Sequence, residues 1–157
     1  MGGAVILTNF LWEKKEFKDN SFLRPIIEFS FVKGKIVKFV ILLVHFISSQ
    51  SKAPDELKAL VKYSKQFLSE GTPAIIVGDM NIDLLKIKQM PKLPANWRIL
   101  RTNGPTQQSG GELDWALLFD PNGRLPNSSV KVLDQFKTPP NQSDHSVMQY
   151  KLDLDIK

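Results

Sequence analysis

The sequence predicts a mixed α/β layered domain. Three observations carry that expectation. Short apolar runs rich in Val, Ile and Phe recur along the chain, one amphipathic helical stretch lies between two of them, and no linker divides the sequence. With 157 residues the chain is long enough for one domain with its own core. Hydrophobic residues make up 42% and charged residues 24%, as in an ordinary globular protein.

The elements follow in order. Residues 4–9 read as a short apolar strand; no basic segment precedes them and no small-residue cleavage site follows, so a signal peptide is not expected. Residues 10–25 are polar and mixed and read as a loop. Residues 26–32 read as a strand, Lys33-Gly34-Lys35 as a turn, and residues 36–44 as a second hairpin strand buried on both faces. Residues 54–70 form the helix. Pro54 suits its first turn, and Asp55 and Glu56 favour the positive end of its dipole. Leu57, Leu60, Val61, Ser64, Phe67 and Leu68 repeat at the spacing of one buried face, and Gly71 and Pro73 stop the helix. Residues 74–77 read as a short buried strand ending at Gly78-Asp79. After a polar, proline-containing stretch, further strands are expected at 113–119, near 129–133 and at 146–154.

Composition excludes several chemistries. There is no cysteine, so disulfides, a thiolate nucleophile and cysteine-ligated metal sites are ruled out. No apolar run reaches the length of a membrane span, and a soluble chain is expected. The net charge of +5 and the pI of about 9.4 suit either a lysine-rich solvated surface or an electrostatic preference for a polyanion. The lysines are scattered, with no dense basic tail.

The residues able to do chemistry gather at the ends of these strands. His45 closes the apolar run Val40-Ile41-Leu42-Leu43-Val44, and His145 precedes the last strand. Asp79 and Asn81 follow the buried strand 74–77. They are turn formers, and equally two oxygen-bearing side chains that a rigid strand could present to a hard cation and a phosphate. Asp114 enters an apolar strand, where it either caps a turn or orients an imidazole. Arg24, beside Pro25, is either solvated or a phosphate clamp.

The order of these signals is more specific than any one of them. Gly78-Asp79-Met80-Asn81 followed by Ser143-Asp144-His145 resembles the endonuclease/exonuclease/phosphatase (deoxyribonuclease I-like) family, with Met in place of a Phe in the first motif. Residues 2–8, Arg24-Pro25, Val44-His45, Pro105-Thr106-Gln107, Ser109-Gly110 and Leu113-Asp114-Trp115-Ala116 are most similar to the branch of the cytolethal distending toxin catalytic subunit.

The resemblance implies a two-sheet β-sandwich flanked by helices. It also implies metal-dependent phosphodiester hydrolysis, foremost by a DNA endonuclease, with Mg²⁺ or another divalent cation such as Mn²⁺ or Ca²⁺ as cofactor. By resemblance, His45 acts as a general acid and Asp114 orients the second catalytic histidine, His145. Asp79, Asn81 and Asp144 hold the metal, Asp79 also serving the chemistry, and Arg24 and Asn81 contact phosphate. A secreted effector is compatible with it. A phosphatase or lipid phosphodiesterase on the same scaffold is the alternative, since loops set the substrate. The family's first-half motifs, an early Asn and a metal-binding Glu, are not found upstream of Arg24. Residues 1–157 are therefore expected to be the C-terminal part of the domain. That leaves two further expectations: an inactive fragment, or a partner supplying the missing half through self-association or a second chain.

Overall fold

A computed structural model describes residues 11–17, 22–33, 36–49, 51–68, 71–86, 92–134 and 143–153. The apolar runs assemble into a six-stranded sheet. Its strands are β1 (Leu11–Phe17), β2 (Ile26–Lys33), β3 (Ile36–His45), β4 (Ala74–Asp79), β5 (Trp97–Leu100) and β6 (Asp114–Phe119), in the order β1-β2-β3-β4-β6-β5. β3 and β4 are parallel and every other neighbouring pair is antiparallel. Parallel strands need a long crossover, and the helix α1 (Ala53–Leu68) supplies it. A separate antiparallel pair is formed by β7 (Ser129–Asp134) and β8 (Val147–Lys151).

Strand alternation sorts the core into two layers. On one face, Val40, Leu42, Val44, Ala74, Ile76, Trp115 and Leu117 pack with Ala53, Leu57 and Leu60 of α1. On the other, Ile41, Ile75, Ala116 and Leu118 pack with Leu125, and Val130 and Tyr150 of the small sheet lie against them. The expected arrangement of two facing sheets with a helix outside is present, the second sheet here being the β7–β8 pair. No helix among the described residues is long and apolar enough to cross a membrane.

Two segments differ from the sequence expectation. The stretch 10–25 reads as a loop, yet β1 occupies Leu11–Phe17 and pairs residue for residue with β2. An edge strand needs one neighbour only and tolerates charge, so its Glu and Lys residues mask it. β5 lies in the stretch expected to be polar and irregular; its Arg98 interrupts an otherwise apolar four-residue run. The expected strand at residues 4–9, Gly34-Lys35 of the expected turn, and residues 69 and 70 of the expected helix lie outside the described residues.

Candidate active site

The pairing of the central strands places three chemical side chains in one row. His45 of β3 is the register partner of Asp79 of β4, and Asp79 is the register partner of Asp114 of β6. Each follows by two residues, or precedes by two, a residue of the layer facing the small sheet: Leu43, Val77 and Ala116. Period-two alternation therefore points all three to that side, at the end where β3 and β4 finish and β6 begins. The close approach of β3 and β4 depends on Gly78, whose φ is +144° and which lies against the Val44 carbonyl.

His145 enters from the segment before β8. Its Nδ1 is 2.8 Å from Asp114 Oδ2, and its Nε2 is 3.8 Å from Asp79 Oδ2. His45 Nε2 lies 3.3 Å from the same Asp79 oxygen, so one carboxylate faces two imidazoles. Asp144 Oδ1 stands 3.9 Å from His145 Nε2. Asp79 Oδ1 accepts a hydrogen bond from the Asn81 amide at 3.0 Å, and Asn81 Nδ2 donates to the Phe46 carbonyl at 2.8 Å. Arg24 Nη1 donates to the His45 and Phe46 carbonyls at 3.3 and 2.9 Å, which fixes the guanidinium beside the first histidine. Every candidate named from the sequence, Arg24, His45, Asp79, Asn81, Asp114, Asp144 and His145, is thus linked into one network.

Three positioning residues carry no functional assignment from the sequence. Thr106 is fully buried. Its Oγ1 accepts from the Leu113 and Asp114 amides, both at 2.9 Å, and its carbonyl accepts from the Ser146 amide at 2.7 Å. One residue therefore holds both halves of the Asp114–His145 pair. Gln107 forms a β-bridge with His145 and donates from Nε2 to Asp144 Oδ2 at 3.0 Å. Glu56, which the sequence presents as a partner of the helix dipole, is buried and accepts from the Leu23 and Ile47 amides at 2.7 and 2.6 Å. It pins the segments carrying Arg24 and His45. Only the Pro-Thr-Gln run gives a signal in the sequence; a long-range cap such as Glu56 leaves none.

Thr106→Val keeps the shape but leaves two partly buried amides without this acceptor, against a cost of about 1–3 kcal/mol for a fully buried group so orphaned. Thr106→Val is expected to lower the urea midpoint clearly, whereas Thr106→Ser, which keeps the oxygen, stays near the unsubstituted value.

The electrostatics separate the two histidines. Burial lowers the pKa of His45 below its ordinary 6.5, and Asp79 offsets this only in part. The hydrogen bond that His145 donates to Asp114 raises its pKa above 6.5 against the effect of its burial. Burial also raises the Asp79 carboxyl. In chelator, NMR titration is expected to show His45 losing its proton at lower pH than His145. Asp114→Asn removes the anionic acceptor, so the His145 midpoint should then fall.

One ligand atom each from Asp79, Asp114 and His145 lies within 4.8 Å of the other two, a group able to hold a metal ion. This overlaps the sequence-derived set of Asp79, Asn81 and Asp144 at Asp79. The fit is chemically sound. Burial makes the Asp79 carboxylate costly to ionise, and an adjacent cation would relieve that cost.

The fold is deoxyribonuclease I-like. The chain is similar in fold to CdtB, the biologically active subunit of cytolethal distending toxin, with a TM-score of 0.62 and 18% identity over 87% of this chain and 55% of that one. It is also similar to truncated Caenorhabditis elegans TDP2, with a TM-score of 0.65 and 10% identity over 91% of this chain and 65% of that one. D. rerio TDP2 complexed with single-strand DNA product gives a TM-score of 0.59 and 15% identity over 90% of this chain and 66% of that one. The chain thus spans between about half and two thirds of these neighbours' lengths. No family model and no curated protein matches the sequence.

Proposed function

We propose that this chain carries the catalytic centre of a divalent-metal-dependent phosphodiesterase acting on DNA. The observation that carries the reading is the register row His45–Asp79–Asp114 completed by His145. Two imidazoles on either side of one carboxylate suit an in-line displacement at phosphorus. One takes the proton of the attacking water, and the other gives a proton to the departing oxygen as its P–O bond breaks. By the family resemblance His45 is the donor, which leaves His145, hydrogen-bonded to Asp114, as the acceptor. Asp114 holds the His145 tautomer, and Arg24, its Nη1 held by the His45 and Phe46 carbonyls, would offer its remaining N–H groups to a phosphate oxygen.

Asp79, with Asn81 beside it and Asp144 beside His145, would hold Mg²⁺ or a similar cation, which when bound would neutralise charge growing on the phosphate oxygens. DNA is favoured over other phosphodiesters by the neighbour bound to a DNA product and by the chain's net charge of +5. The test compares supercoiled plasmid, sphingomyelin and inositol phosphates with Mg²⁺. Nicking of plasmid that stops in chelator is expected; preferred hydrolysis of either other substrate would reassign the chain to a lipid phosphodiesterase or phosphatase.

A second reading has its own support. The edge strand β1 exposes Leu11 and Trp12, and the chain covers only 55% of CdtB. In that reading the centre becomes competent when a second copy or another chain covers this edge. Light scattering decides it: a monomer with full turnover excludes the need for a partner.

A further inference from the structure

Among the described residues outside the candidate site, four lysines line one groove. It is open, has a volume of about 260 Å³, and runs between α1 and the segment 92–94, lined by Lys58, Lys62, Lys65, Lys92, Val61, Leu93 and Pro94. Lys58, Lys62 and Lys65 recur at the spacing of one helix face, where like charges repel each other. Lys92 faces them from the opposite wall. Among the described residues no carboxylate lines the groove, and the acidic neighbour Asp55 pairs with Lys58 at 3.1 Å.

We infer that this groove is a second nucleic-acid surface, binding the phosphodiester backbone without reading sequence. Lys62, Lys65 and Lys92 on two walls, with Lys58 shared with Asp55 at one end, suit a chain of phosphates, because each ammonium is a flexible point charge. The floor holds aliphatic side chains and no aromatic ring, so it offers no stacking platform for bases and no means of sequence choice. Val61 and Leu93 are half-buried in the floor and do not project, so nothing there would insert into a lipid surface. The groove is separate from the catalytic row. α1 covers one face of the six-stranded sheet and the row lies on the other. The role of the groove is to hold nucleic acid to the protein while the active site works elsewhere on it. It extends the reading of DNA as substrate, but it concerns binding alone.

The test uses His145→Ala protein in chelator, so that catalysis and metal play no part. Binding of a fluorescent 20-base-pair duplex is followed by anisotropy across a salt series. Adding Lys62→Gln, Lys65→Gln and Lys92→Gln is expected to make the slope of log K against log salt shallower by about 3, roughly one for each phosphate no longer neutralised. Lys131→Gln and Lys151→Gln, exposed lysines on the small sheet, serve as the control pair and should shift it little. On the protein without lysine substitutions, DNA should protect Lys62, Lys65 and Lys92 from acetylation and leave Lys131 reactive, which guards against a variant that folds poorly. An unchanged slope, an equal effect of the control pair, or protection by phosphatidylserine vesicles and not by DNA would overturn the inference.

Discussion

His145→Ala is expected to slow plasmid nicking by about a hundredfold to ten-thousandfold, the range that a positioned acid–base group contributes. The basis is local. His145 Nδ1 is committed to Asp114, which leaves Nε2 to face Asp79 and the space where a phosphate would lie. Alanine removes the proton carrier and leaves the strands intact, so duplex binding in chelator should change little. Asp114→Asn should retain the ring and lose the preferred tautomer, giving a substantial further check on the pair. If His145→Ala nicks DNA at the original rate, the imidazole carries no proton in the reaction.

Gly78→Ala is expected to cause the largest loss of stability. A Cβ at this position would stand 2.0 Å from the Val44 carbonyl oxygen, and the φ of +144° is itself unfavourable for any side chain. Strained backbone costs about 1–3 kcal/mol, and forced overpacking adds about 1–3 kcal/mol. A loss on the order of 4 kcal/mol follows, a large fraction of a small domain's stability. It would appear as a marked fall in the urea midpoint. The consequence reaches the site, because Val44↔Gly78 is the pair adjacent to His45↔Asp79 in the register. Prying these strands apart also separates the histidine from the carboxylate. An unchanged midpoint would contradict the close β3–β4 pairing on which the row of His45, Asp79 and Asp114 depends.

The site is more legible in the sequence than its scaffolding. His45, Asp79 and Asp114 each mark the end of an apolar run, where a polar side chain stands out, and the motif order groups them with Asn81, Asp144 and His145. Their register cannot be read, because parallel pairing of β3 with β4 is set by packing across α1 and by Gly78, not by a local pattern. Thr106 shows the limit best. Threonine in a proline-containing stretch looks like loop, yet its hydroxyl caps two amides that begin β6 and its carbonyl holds the segment of His145. Glu56 is visible as an acidic residue in a first helical turn, but nothing nearby tells that its partners are Leu23 and Ile47. β1 is hidden because edge strands carry charge, and β5 because four residues are too few to establish a period.

The central claim is that Asp79, Asp114 and the two histidines form one metal-assisted centre for breaking phosphodiesters. It is tested most directly by hydrolysis of bis(p-nitrophenyl) phosphate by the purified chain as Mg²⁺ or Mn²⁺ is titrated, beside the same titration of Asp79→Asn. Turnover is expected to saturate with metal, vanish in chelator and be lost in Asp79→Asn. Turnover that persists in chelator, or that Asp79→Asn leaves untouched, would contradict the claim.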